Sequence, residues 1–185
     1  RARGALLLGE GRFAEAHAAL HGLLEANPSA AAAVRGTFEA VPGASAATPE
    51  LRLLYAVALA RTNAHRPALK ELQEALQAGA DPQAALATAT VLQEADPHGH
   101  DLMMVRGRCA VAAGDAAAAS AAFKQVLTSD PSRADKVRAE IEALSTEPGS
   151  GTLQRVLVDL YLQLELPVEA AAALGRVRDA HAATP

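Results

Sequence analysis

The chain has 185 residues and a formal net charge of −4; half of it is apolar, only 3% is aromatic, and Trp is absent. A net negative balance argues against nucleic acid as a partner, because phosphate neutralisation needs a basic surface. No apolar run approaches the roughly 20 residues that span a bilayer, so no membrane insertion is expected, and a single cysteine, Cys109, excludes an internal disulfide and a thiolate zinc site.

The apolar content is mostly Ala with Leu and Val. Ala is the best helix former, and the Val/Ile/Tyr/Thr alternation of strands is missing, so the expected class is all-α. In chain order, residues 1–28 carry Gly4, Gly11, Phe13, Ala16 and an apolar stripe at Leu20, Leu23 and Leu24, closed by Pro28. Residues 29–65 contain Val34-Arg35, a long link at 42–49 and Tyr55 on an apolar stripe. Residues 66–98 place Leu69, Leu72 and Leu76 on one helical face; Asp81-Pro82 then reads as an N-cap with Pro at the first helical position. Residues 99–131 hold Gly107, Cys109 and Gly114-Asp115, where Gly114 suits a left-handed helix end. Residues 132–167 show the stripe Val137, Ile141, Leu144, a link at 147–151 and an apolar Tyr161, and a last helix is expected over 168–182. That makes about eleven helices.

Self-similarity is strong. Arg3-Gly4 returns as Arg106-Gly107, Gly11 as Gly114, Ala16 as Ala119, Leu20 as Phe123, Pro28 as Pro131, Val34-Arg35 as Val137-Arg138, and Glu39 as Glu142, each 103 residues on. This is the mark of a tandem duplication. Inside it, Pro28, Pro97, Pro131 and Pro167 fall at multiples of about 34, the length of one helix-pair repeat. Ala16, Ala68, Ala119 and Ala170 offer a second period of about 51, with three helices per repeat; the shorter period also accounts for the prolines and is preferred.

Residues 99–131, with Gly107, Gly114-Asp115, Ala119, Phe123 and Pro131 in order, resemble one whole tetratricopeptide repeat, and residues 1–28 resemble the same repeat with its first residues missing. Residues 66–97 resemble it more weakly through Asp81-Pro82, Ala85, Leu92 and Pro97, while 29–65 and 132–167 are placed by phase. The resemblance implies a right-handed α-solenoid of antiparallel helix pairs in a single array. Its repeats would span 1–28, 29–65, 66–98, 99–131 and 132–167, followed by the terminal helix. It also implies that the first helix of each pair lines a concave binding surface. Carried over, those positions are Arg35 and Glu39, Lys70 and Glu74, Met104 and Arg108, and Arg138 and Glu142, with Val111 beside Met104. Three of the four pairs read basic-x-x-x-Glu. That order is the poorer one for helix stability, so the charges suggest a ladder for a partner as well as intrahelical ion pairs. Glu stands where the chaperone-binding members of the family use Asn to grip a terminal carboxylate, so that clamp is not expected.

Other chemistry is sparse. His98 and His100 beside Asp96 and Asp101 form a short metal-candidate cluster, and His17 and His21 sit one helical turn apart with Glu25 as the nearest third ligand. No phosphate-binding Gly-rich loop, nucleophile elbow or His-Glu-x-x-His is present. No catalytic residue and no cofactor are therefore expected. The leading expectation is a scaffold that binds a protein or peptide partner in its groove. The alternatives are the repeat segment of a larger enzyme, secretion or envelope-assembly protein, and a metal-binding regulator. A start at Arg1 without Met reads as a fragment, Ala/Leu stripes at both ends would allow self-association, and a cytoplasmic location is the default, with periplasm or export left open.

Overall fold

The computed structural model describes residues 2–146, 158, 161–162 and 165–182, and all regular structure among them is helical. Ten α-helices are described: α1 (Ala2–Gly9), α2 (Phe13–Ala26), α3 (Ala31–Glu39), α4 (Pro49–Ala60), α5 (His65–Gln77), α6 (Pro82–Ala95), α7 (His100–Ala112), α8 (Ala116–Ser129), α9 (Ala134–Thr146) and α10 (Pro167–Ala182). Short 3-10 turns occupy Pro28–Ala30, Ala44–Ala47 and Pro131–Arg133. The expected link at 147–151 lies outside the described residues; the link at 42–49 holds the second of those 3-10 turns. Two compact units form, residues 1–102 and 103–185.

One turn is built five times. Gly11, Asn63, Gly79, Gly114 and Glu165 all adopt positive φ, at 72°, 59°, 83°, 77° and 59°. The residue after each donates its N–H five residues back: Arg12 to Leu7, Ala64 to Leu59, Ala80 to Ala75, Asp115 to Ala110 and Leu166 to Tyr161, at 2.8–3.0 Å. This left-handed cap satisfies the carbonyls that a helix end leaves open, and it turns the chain directly into the next helix. Four of the five recur every 51 or 52 residues, joining α1 to α2, α4 to α5 and α7 to α8 and preceding α10; the fifth, at Gly79, joins α5 to α6.

The same helices fit both spacings: α1–α2, α5–α6 and α7–α8 each form one 34-residue pair, and the Asn63 turn joins α4 to α5 between two such pairs. The prolines stand at non-equivalent places. Pro28 and Pro131 open 3-10 turns and Pro167 opens a helix, while Pro97 follows the Asp96 cap of α6. Each is a position where a missing N–H costs nothing, and that permission is not specific to one point in a repeat.

In the first unit, Leu7, Leu20, Leu24, Val34, Phe38, Leu51 and Leu54 form the core. α4 is apolar on almost every side, with Leu51, Leu53, Leu54, Ala56, Ala58 and Leu59 all buried, as expected of a helix surrounded by others. It starts at Thr48, whose side chain accepts from the Leu51 N–H at 3.3 Å, with Pro49 at the first helical position. Asp81 caps α6 in the expected way, accepting from the Ala84 N–H at 2.8 Å. Arg52 on α4 reaches Glu71 (3.1 Å) and Glu74 on α5 and ties the hairpin together.

In the second unit, α7 crosses α8 at Gly107. A Cβ there would lie 2.6–2.9 Å from three ring atoms of Phe123, so only glycine allows the approach. Asp115 caps α8 through the Ala118 N–H at 2.9 Å. Arg108 on α7 makes a two-pronged ion pair with Glu140 on α9. Cys109 is fully buried, and burial pushes its thiol up to about 12.

Candidate binding groove

The even-numbered helices of the first unit, α2, α4 and α6, lie side by side and enclose a groove of about 380 Å³. Each contributes one stripe at helical spacing. α4 supplies the floor through Leu53, Leu54 and Val57, opposite the side on which Arg52 meets α5. α6 supplies Ala84, Ala87, Thr88 and Val91, a row of mostly small side chains that leaves the volume open. α2 supplies His17, His21, Leu24 and Glu25, displaced by one position from its core stripe of Ala16, Leu20 and Leu24. Glu50 and Arg61 complete the lining from the two ends of α4.

The apolar floor is edged with charge along α2. The His17 and His21 rings stack with centroids 5.5 Å apart and planes 26° from parallel. His21 Nδ1 lies 3.5 Å from Glu25 Oε2. Partial burial holds the His17 imidazole below the ordinary histidine range, His21 pushes the same way, and Glu50 opposes them. At the far end, Arg61 donates to the Leu24 carbonyl at 3.4 Å, one of the carbonyls left open in the last turn of α2.

The residues anticipated as a concave ladder are placed elsewhere, and none of them lines this groove. Arg35 Nε donates to Glu39 at 2.7 Å within α3, and its Nη1 reaches the Thr62 hydroxyl at 3.4 Å. Lys70 Nζ lies 3.6 Å from Glu74 on α5, and Glu74 also receives Arg52. Met104 and Val111 are buried, at 3% and 2% exposure. Arg108 is engaged by Glu140, Arg138 is exposed on α9, and the Glu142 side chain lies outside those described. Of this set, Arg35, Glu39, Lys70 and Glu74 belong to the first unit and Met104, Arg108, Val111, Arg138 and Glu142 to the second.

His98 is exposed and His100 opens α7, with Asp101 in its first turn. Among the described residues no group of three or more His, Cys, Asp or Glu is arranged to hold a metal ion. Among the same residues no helix is long and apolar enough to cross a membrane. The His17–His21 spacing was the one visible sign of the groove. Its floor was not read from the sequence, since Leu53, Leu54 and Val57 stand in a helix that is apolar on almost every side.

No curated protein matches the chain. The family model of the tetratricopeptide repeat matches residues 1–40 and 69–134, together more than half of the sequence. With helix pairs, glycine crossings and left-handed turns in place, the chain belongs to the tetratricopeptide repeat family.

Proposed function

We infer that the α2–α4–α6 groove holds a short segment of a protein partner and that the chain acts as a protein-interaction module. Tetratricopeptide repeats mediate protein–protein interaction as a family, and their fold is typically non-catalytic. The observation that carries the reading here is the groove itself: apolar at the floor, edged with a few polar groups, and built on helices that core packing holds in place. Such a site loses little conformational entropy on binding. The only thiol is buried with its pKa raised to about 12, which removes it as a nucleophile. The charged pairs on α3 and α5 belong to the frame in this reading, since Arg35, Glu39, Lys70 and Glu74 already satisfy one another or neighbouring helices.

The test is a random peptide library panned against the protein, with Ala87→Trp as the counter-screen. Ala87 is an exposed small residue on the groove lining, so the indole fills the volume without disturbing the core. Selected peptides should bind the wild type and lose at least about tenfold in affinity against Ala87→Trp by calorimetry, the scale of one buried aromatic anchor. The triple reversal of Arg35, Lys70 and Arg138 to Glu should leave their affinity within about twofold, as for charges outside a contact. Peptides that ignore Ala87→Trp and respond to the reversal would overturn the assignment in favour of the charged ladder.

A further inference from the structure

The groove has a polarity that its apolar floor does not explain. Along its α2 edge, the carboxylate of Glu25 stands 3.5 Å from His21, His21 stacks on His17 at 5.5 Å, and Glu50 on α4 is close enough to His17 to favour its protonated form. The row runs acid, imidazole, imidazole, acid. With both imidazoles neutral it presents two carboxylates beside an apolar floor. With both protonated, the same row carries no net charge.

Charge complementarity then selects the occupant. We propose that the groove takes an apolar segment flanked by a Lys or Arg side chain, the apolar part seated on Leu53, Leu54 and Val57 and the cation on the Glu25–His21–His17–Glu50 row, and that protonation of the two imidazoles releases it. The proposal rests on the groove reading above and adds the chemistry and regulation of the occupant. Arg61, the one lining cation besides the histidines, donates to the Leu24 carbonyl at the end of α2, so with neutral imidazoles the two carboxylates leave the lining one negative charge in excess.

No other titrating group in the lining competes with the pair. From α4 the charged residues are Glu50 and Arg61, and α2 itself adds Glu25. α6 contributes Ala84, Ala87, Thr88 and Val91, none of which titrates, and α1, α3 and the 28–30 turn place no side chain on the lining. Glu15 of α2 is held away by Arg12 at 2.7 Å. Histidine is the side chain whose charge changes between about pH 5 and 8, so the pair converts a modest acidification into a change of groove charge. Partial burial of His17 also favours its neutral form.

The experiment uses library peptides selected at pH 7.5, synthesised without histidine, and measured by fluorescence anisotropy at pH 7.5 and 5.5. Apolar sequences with a basic flank should dominate, and their affinity should fall about fivefold at pH 5.5, the scale expected for partly exposed charge pairs. The double variant His17→Gln/His21→Gln should flatten that pH response, and Glu50→Gln should weaken binding about threefold at pH 7.5. Peptides that lose binding to Ala87→Trp yet show no basic preference, or keep the same pH response in the double variant, would overturn this inference and leave the groove standing. Peptides indifferent to Ala87→Trp would remove the groove reading, and this inference with it.

Discussion

Helices α1–α3 and α7–α9 are two copies of one design, 103 residues apart, and the comparison separates what the copies share from what each has made its own. Gly4 approaches Leu20 as Gly107 approaches Phe123. Asn27 accepts from the Ser29 N–H at 3.1 Å, and Asp130 accepts from the Ser132 N–H at 3.2 Å, each at the start of a 3-10 turn. Gly11 and Gly114 take the same left-handed turn. The shared features are all backbone devices: crossings, caps and turns. The differences lie in what projects from that frame. Where the second copy has the ion pair of Arg108 and Glu140, the first has Ala5 and the buried Thr37, whose hydroxyl donates to the Ala33 carbonyl at 2.9 Å. Where the first copy has His17 and His21 on the groove, the second has the buried Ser120 and the exposed Lys124. The imidazole pair thus belongs to one copy alone.

The largest expected effect probes the shared crossing. Gly107→Ala should cost about 2–3 kcal/mol by urea denaturation, because three atoms of a fully buried, rigid ring stand within 2.9 Å of the new Cβ. Gly4→Ala should cost about 1 kcal/mol or less, since the Cβ meets the flexible end of Leu20, which can change rotamer. Equal losses would mean that the two crossings are not the same device.

Next come the turns. Gly114→Ala should lose about 1 kcal/mol, whereas Asn63→Gly and Glu165→Gly should gain up to about the same amount, because all five turns need the left-handed conformation and only three have glycine. Chemical denaturation of the three variants checks the sign at each site. A smaller effect is expected for Arg108→Ala, below about 1 kcal/mol, because the arginine is 44% exposed and its pair with Glu140 is partly screened.

The smallest effect is on pH dependence. The folded-state pKa of His17 lies below its ordinary value, so the unfolded chain holds that proton more tightly. Its share of stability is complete above the ordinary histidine pKa and declines as pH falls through that value toward the depressed one. His17→Gln should flatten the stability profile there, whereas Ser120→Ala, at the matching place in the second copy, should leave it unchanged. Denaturation midpoints across the histidine range compare the two.

Much of the frame was legible in the residues. Ala-rich stripes gave helices, the Gly107–Phe123 pair marked a crossing, and Gly114 marked a left-handed cap. Two of the turns were harder, because Asn63 and Glu165 take the left-handed conformation without the glycine that announces it. The groove was harder again. Which side of α4 stays open depends on how the small side chains of α6 pack beside it, and no spacing along one helix reports that. Of the basic-x-x-x-Glu pairs, Arg35–Glu39 and Lys70–Glu74 do meet within their helices, and nothing in the sequence signalled that Glu74 also receives Arg52 of another helix.

Cys109 gives this frame a means of timing its own movements. Alkylating reagents attack the thiolate, and a fully buried thiol with its pKa raised to about 12 offers almost none. Labelling must therefore await the opening of α7. As the chain has a single cysteine, the labelling rate under native conditions reads the opening equilibrium of that one helix directly. A partner that grips α7 should slow that rate.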